Sequence, residues 1–283
     1  MKIVIASGKG GTGKSMIASS LAILISKKRK VVACDCDVDA PNLALWLGIT
    51  KFDEIKKISV SQKAFINQEI CKRCGKCKEY CQFFAIEKVN EEFKVNQFLC
   101  EGCGVCKIVC PFNAIELREV ESGEIRINYS AYDFPVISGF LYPGQTGSGK
   151  IVELVKKEIE RFEYEIAILD APAGLGCPVI AALKDADYAI LVTEPSPTAF
   201  LDLKRILKLV NHFNLQYGVV INKFDLNEKI SDEIESFVSK NLLGKIPYDK
   251  RIVDCLISLK PAIFVKEVEK KIKIMLSELF SRI

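Results

Sequence analysis

Short runs of consecutive apolar residues organise most of the chain, and between them lie stretches in which apolar positions recur every three or four residues. The runs at Lys2 to Ala6, Val31 to Cys34, Ile166 to Leu169, Tyr188 to Val192, Tyr217 to Ile221 and Leu242 to Ile246 read as strands covered on both faces, the pattern of a parallel sheet. Between the first two runs, Ile17, Leu21, Leu24 and Ile25 recur at helical spacing, completing a strand, loop, helix, strand unit. The fold class that follows is α/β: a doubly wound, mostly parallel sheet with helices on both faces.

The alternation breaks from residue 58 to residue 130, and inside the break the sequence repeats itself. "CKRCGKCKEYCQFFAI" at 71 to 86 aligns with "CEGCGVCKIVCPFNAI" at 100 to 115, an offset of 29, with four cysteines, one glycine (Gly75, Gly104) and a terminal Ala-Ile in common. Residues 58–130 are therefore expected to form an inserted α+β domain, with 1–57 and 131–283 making one domain around it. The strands expected within the insert, "AIEKVN" and "EIRINYS", are short, so a bound metal has to supply much of its stability. "GQTGSGKI" at 144 to 151 imitates a phosphate loop but lacks a hydroxyl residue after its lysine and a preceding strand. It reads as a glycine-rich connector returning from the insert.

Composition narrows the function. With 283 residues, 49% of them apolar, the chain has enough material for one large core and a small module. The net charge of +4 is the residue of 40 basic and 36 acidic side chains, which argues against nucleic acid as the partner. The run Lys27, Lys28, Arg29, Lys30 sits where the first helix should end, a place that favours cations. No apolar run approaches the ~20 residues of a membrane span, and the amino terminus runs straight into a motif. Stable membrane insertion is not expected, and the reading is cytoplasmic. Of twelve cysteines, eight lie between Cys71 and Cys110 in two equally spaced sets, a pattern of metal ligation rather than of a disulfide framework.

"GKGGTGKS", Gly8 to Ser15, follows an expected strand and opens an expected helix, the context that the phosphate-loop motif needs. Its backbone N-H groups converge on phosphate oxygens, Lys14 reaches the β and γ phosphates, and the Ser15 hydroxyl ligates Mg²⁺. With Lys9 as a second lysine, the loop resembles the deviant Walker A loop of the family that includes MinD, the Mrp-type iron-sulfur carriers and the nitrogenase iron protein. That resemblance implies ATP and Mg²⁺ held by Gly8, Lys9, Gly10, Gly11, Thr12, Gly13, Lys14, Ser15 and Met16. It implies also that Lys9 crosses to the nucleotide of a second subunit, as an arginine finger does, so that dimerisation is coupled to ATP.

Further parts of the family pattern fall in order. "DCDVDAPN" at 35 to 42 is similar to switch I, with Asp37, and less securely Asp39, orienting water or Mg²⁺. "ILDAPAGLGC" at 168 to 177 is similar to the Walker B strand and switch II: Asp170 stands near Mg²⁺, and Gly174 and Gly176 give mobility. "VVINKFD" at 219 to 225 is ambiguous, because N-K-x-D also marks guanine sites; by the resemblance Asn222 contacts adenine, and ATP is the favoured nucleotide. Pro247 and Asp249, in "GKIPYDKRI", are further base contacts.

C-x₂-C-x₂-C-x₃-C occurring twice resembles the bacterial two-cluster ferredoxin, in which the fourth thiolate crosses to the other cluster. Two [4Fe-4S] clusters are then implied, one on Cys71, Cys74, Cys77 and Cys110, the other on Cys100, Cys103, Cys106 and Cys81. Zinc sites separate their pairs by a longer loop. Pro111 follows Cys110 as the pattern has it, but Gln82 follows Cys81, which alters the surroundings of one cluster without removing a ligand. Cys177 stands seven residues after Asp170, the offset at which the nitrogenase iron protein carries a ligand of its bridging cluster. It is a candidate for a third [4Fe-4S] cluster at a dimer interface, and a partly buried free thiol is the competing reading. Cys34, Cys255 and Trp46 read as core, Cys36 as a reduced thiol in the switch, and His212 as structural.

The resemblance implies a homodimer, or a heterodimer with a paralogue, that binds ATP between subunits and hydrolyses it slowly. The leading expectation is an ATPase whose dimer changes gate electron transfer through the clusters to a redox partner. The alternative is a cluster carrier that delivers to an iron-sulfur client protein. The carriers use a C-x-x-C near the carboxyl terminus, and no such pair follows Cys177.

Overall fold

The computed structural model describes residues 1–283. It opens with strand β1 (Lys2–Ser7), helix α1 (Lys14–Ser26), β2 (Val31–Asp35), the one-turn α2 (Leu43–Trp46) and β3 (Glu54–Ile58). The cysteine-rich stretch holds β4 (Ser61–Ile66), α3 (Lys76–Glu79), β5 (Ile86–Val89), β6 (Glu92–Val95), α4 (Val105–Ile108) and β7 (Ile115–Val120). Then come β8 (Gly123–Asn128), β9 (Val136–Leu141), α5 (Ser148–Glu158), β10 (Ile166–Ala173), α6 (Cys177–Leu183), β11 (Tyr188–Thr193) and α7 (Pro197–His212). The chain closes with β12 (Gln216–Asn222), α8 (Glu228–Val238), β13 (Leu242–Ile246), α9 (Lys250–Ile257) and α10 (Lys266–Phe280).

All six expected strands lie in one nine-stranded sheet of order β13-β12-β11-β1-β10-β2-β9-β8-β3. Neighbours from β13 to β9 run parallel. Two expectations need correction. β10 runs on past Asp170 to Ala173, because "APA" keeps pairing with β1, Ser7 lying beside Ala173. The "EIRINYS" strand, β8, pairs into this large sheet rather than within the insert; its buried Ile125 and Ile127 alternate as a strand with one core face does.

From β1 the chain passes through α1 to β2 on one side, while β10 and β11 flank β1 on either side. This reversal is the switch point at which open α/β sheets bind ligands, beyond the carboxyl ends of the strands. α1 is apolar almost all round, with Met16, Ile17, Leu21, Ala22, Leu24 and Ile25 buried, as a helix packed deep in a core must be. Along α10, Val268, Ile272, Met275 and Leu279 form one buried stripe against the same core; their spacing of four, three and four residues is one helix face.

By its internal contacts the chain divides into Met1–Ile55, Ile125–Phe140 and Ser148–Ile283 as one unit, and Lys56–Glu124 with Leu141–Gly147 as the other. The second unit pairs β4 with β7 and β5 with β6, both antiparallel. The sequence repeat is carried down to single hydrogen bonds. Asn67 N-H donates to Ala114 C=O, and its counterpart Asn96 to Ala85. Gln68 Nε2 donates to Phe93 C=O, and Gln97 to Ala64. Gly75 and Gly104 share a φ of 80°, a left-handed turn that opens α3 and α4 and suits glycine.

Candidate functional site

The P-loop crosses from β1 to α1 through backbone that only glycine adopts at ease. Gly11 and Gly13 have φ of 77° and 96°, and a Cβ on Gly13 would collide with Nδ2 of Asn222. Gly11 is exposed, and a Cβ there would find nothing within 4 Å. The result is a cradle of N-H groups, open on the outside, at the amino end of α1. Such a terminus carries partial positive charge and attracts anions.

Beneath the loop, polar atoms are buried without partners. Thr12 Oγ1 and both carboxylate oxygens of Asp170 hold no hydrogen bond, although the Ser15 side chain is close enough to Asp170 to favour its ionised form. Burial pushes the Asp170 carboxyl up to about 7, with Ser15 and Lys14 pulling it down and Asp37 adding to the rise. Lys14 is buried. Unpaired buried carboxylate is costly, and a divalent ion beside a phosphate chain is the group that would satisfy these atoms, so the residues present fit Mg-nucleotide.

The loop expected to be switch I is held by a residue that the sequence pattern did not single out. Asp35, beside Asp170 across the β2 and β10 pair, accepts from Asp37 N-H at 3.1 Å and Leu43 N-H at 2.8 Å, which pins the loop 37–43. Burial and then the Asp170 charge push its carboxyl well above the carboxylate range. Asp37 itself is half-buried and near Lys14; Asp39 is exposed. Cys34 and Cys36 are both fully buried, and burial raises each thiol, so Cys36 belongs to the core with Cys34.

Lys9 is held within its own chain. Its Nζ meets Glu194 Oε1 at 2.8 Å, and Lys223 Nζ meets Glu194 Oε2 at 3.0 Å while donating to Gly11 C=O at 3.0 Å. Burial pushes the Glu194 carboxyl up, but the two lysines outweigh it and hold it below the usual value. Glu194, at the end of β11, went unremarked in the sequence because no loop motif marks it.

Beside the cradle lies a cavity of about 170 Å³ lined by Gly11, Gly13, Met16, Asn222, Pro247 and Asp249, with Trp46, Tyr248, Ile252, Val253 and Leu256. Six residues expected at the nucleotide thus share one cavity. Trp46 corrects its expectation: it packs partly on the core and also walls this cavity. Asn222 Nδ2 donates to Thr12 C=O at 2.8 Å, so it braces the loop as well as facing the cavity. Asp249 caps α9 and pairs with Arg251. Asp225 accepts from Tyr248 N-H at 2.6 Å, tying the 247–249 loop in place.

In the second unit the eight cysteines gather in two groups. One cavity is lined by Cys71, Cys74, Cys77 and Cys110, the other by Cys81, Cys100, Cys103 and Cys106. Burial raises the Cys77 thiol, and Cys71, Cys110 and Cys74 add to it; burial likewise pushes Cys106 up to about 11, with Cys100 and Cys103 adding. Four N-H groups donate to sulfur at 3.4 Å: Arg73 to Cys71, Ala64 to Cys100, Ala85 to Cys81 and Ala114 to Cys110. No group of three or more His, Cys, Asp or Glu residues is disposed to hold a metal ion. Cys177, exposed, begins α6 in the first unit, away in sequence from both groups.

A parallel sheet with a glycine cradle at its switch point defines a P-loop nucleotide-binding domain. The CobQ/CobB/MinD/ParA nucleotide binding domain profile matches residues 3–262, and the chain belongs to that family. It is 41% identical over 281 residues, 96% of each chain, to an uncharacterized protein of Methanocaldococcus jannaschii. It is 24% identical over 261 residues, 89% of this chain and 75% of the other, to a putative septum site-determining protein MinD of Nephroselmis olivacea. Its fold is similar to that of MinD from Pyrococcus horikoshii complexed with Mg-ADP, with a TM-score of 0.61, 19% identity, and 98% and 95% of the two chains covered. No helix is long and apolar enough to cross a membrane.

Proposed function

We propose that this protein is a dimeric, Mg-ATP-hydrolysing iron-sulfur protein in which nucleotide-driven changes of the dimer gate electron transfer through two [4Fe-4S] clusters to a redox partner. The observation that carries the iron-sulfur half is the grouping of the thiols: each cavity takes three cysteines from one half of the repeat and the fourth from the other half. All the donors are soft sulfur and N-H groups already point at four of them, which suits zinc or an iron-sulfur cluster; the doubled C-x₂-C-x₂-C-x₃-C spacing favours the cluster. When bound, such clusters take up and release single electrons.

The nucleotide half rests on the unpartnered oxygens of Asp170 and Thr12 and on the cavity beside them. Lys14 and the loop N-H groups would bind phosphate, Ser15 and Asp170 would hold Mg²⁺, and Asp37 would orient the attacking water. Met16, Trp46, Ile252, Val253 and Leu256 give the cavity apolar and aromatic walls beside the polar Asn222, Lys223 and Asp249, and Asp225, the base-reading carboxylate of guanine sites, is already bound to the Tyr248 amide; adenine is the base that fits. Lys9 acts in trans after leaving Glu194. Anaerobic loading with iron and sulfide tests the proposal. About eight irons per chain, with EPR signals that change on adding Mg-ATP, are expected. Two thiol-bound zinc equivalents per chain or an EPR spectrum blind to nucleotide would overturn it.

A further inference from the structure

Because the second unit is an internal repeat several of whose hydrogen bonds match in pairs, places where its halves differ stand out. The sharpest difference lies beside Cys100. Lys63, on β4, is 1% exposed, and its Nζ donates to Cys100 C=O at 2.6 Å and to Gly144 C=O at 3.1 Å. No carboxylate pairs with it. Its neighbour Ala64 donates the N-H that points at Cys100 Sγ. Adding the repeat offset of 29 to position 63 gives Glu92 on β6, the strand whose Phe93 lines the other cavity. Glu92 is half-exposed and sits 3.8 Å from Lys94. One half of the repeat thus buries a cation where the other carries an anion near water.

A buried ammonium served only by two carbonyls is costly to keep. Its charge is best offset by negative charge nearby, and the sulfur set of Cys81, Cys100, Cys103 and Cys106 is where that charge would sit. Resting on the iron-sulfur reading above, we infer that Lys63 is the fixed counter-charge of this set and makes its cluster the easier of the two to reduce. A one-electron donor protein supplies the electron; reduction adds one negative charge, breaks no bond and moves no proton. A buried cation favours that added charge through a medium of low dielectric, whereas Glu92, near solvent, is screened. Electrons entering the unit therefore come to rest at the set beside Lys63.

The test is a reductive titration of the loaded protein followed by EPR, in wild type, Lys63→Met and Lys63→Gln, with Cys103→Ser to identify the signal of the second set. Wild type should titrate in two separated steps. Both Lys63 variants should make one centre about tenfold harder to reduce, ~59 mV for one electron, and leave the other in place. The moving centre should be the one altered by Cys103→Ser. Glutamine keeps a hydrogen-bond donor for the two carbonyls while removing the charge, so it separates electrostatics from clamping and stands in if the methionine variant loads poorly. Equal shifts of both centres, a wild-type potential in Lys63→Gln, or movement of the centre that Cys103→Ser leaves intact would overturn the assignment to Lys63 alone. A wild type that takes up no iron would overturn the iron-sulfur reading beneath it instead.

Discussion

The phosphate cradle and the cysteine unit both keep charged chemistry inside a fold, and they rely on different parts of the chain to do it. The cradle is made of backbone: two left-handed glycines, the end of α1 and strand ends set by a large sheet, with a core running from Ile3 to Leu279. The cysteine unit has a core cluster of eight buried residues, three of which are cysteines, and its two strand pairs are short. So small a core contributes little to a unit of this size, and on the iron-sulfur proposal bound metal would supply the difference.

The largest expected effect follows from this contrast. If the unit holds the proposed clusters, stripping iron by chelation, or Cys106→Ala at a proposed ligand, should unfold Lys56–Glu124 while the P-loop unit keeps its structure. Hydrogen exchange read peptide by peptide checks it: protection lost across 61–120 and kept in β1, β10 and β11 is the expected outcome. Equal protection of both units in iron-free protein would show that the cysteine unit stands on its apolar contacts alone.

Next come changes to the cradle. Lys14→Ala should lower ATP hydrolysis by roughly 10²–10³-fold, the cost of one lost charge-stabilising donor, with iron content unchanged. Gly13→Ala should also lose ATP binding, because its Cβ meets Asn222 and its φ of 96° strains any other residue. A melting curve tells the two apart, since only the alanine at 13 distorts the loop. Normal binding in Gly13→Ala would show that the cradle is softer than its geometry.

Asp170 gives an effect of intermediate size with opposite signs in two measurements. Its folded pKa, about 7, lies above the ~3.9 of an unfolded aspartate. The folded state therefore binds the extra proton, and nucleotide-free protein loses stability as pH rises from about 4 through about 7. Asp170→Asn should remove that loss, leaving the nucleotide-free variant more stable than wild type at pH 8 while its Mg-dependent hydrolysis falls to background. Thermal melts at pH 5 and pH 8, with and without Mg-ATP, decide it; a wild-type melting temperature unaffected by pH in this window would count against the buried, unpaired carboxylate.

What the sequence made legible follows the same division. Strands buried on both faces announce themselves as apolar runs, so the sheet from β13 to β2 was readable nearly residue for residue, and the P-loop declared itself because its chemistry depends on glycines at fixed spacing. β9, "VISGFL", was not read, its run being broken by Ser138 and Gly139, where a Cβ on the glycine would strike Val38 and Val155. Trp46 and Glu194 escaped because their part depends on tertiary placement: Trp46 reaches the cavity from a single helical turn, and Glu194 meets Lys9 across 185 residues of chain. In the cysteine unit the two groups were expected only through the resemblance to two-cluster ferredoxins, while Lys63 carried no signal until burial and the repeat were seen together.

The smallest expected effect concerns that contact between Lys9 and Glu194. The two side chains are 37% and 17% exposed, so solvent screens the pair and its worth is within ~1 kcal/mol. If Lys9 serves a second subunit's nucleotide, the pair opposes dimerisation by that amount, and Glu194→Gln should lower the ATP concentration needed for dimer formation by roughly two- to five-fold. Lys9→Ala should abolish the ATP-dependent dimer altogether. Sedimentation across an ATP series measures both. Because Lys223 also leans on Glu194 while holding the Gly11 carbonyl, Lys223→Ala is the control: a loosened P-loop weakens ATP binding in the monomer, whereas a freed Lys9 strengthens only the dimer. Should Glu194→Gln need more ATP rather than less, the contact braces the loop and is no restraint on Lys9.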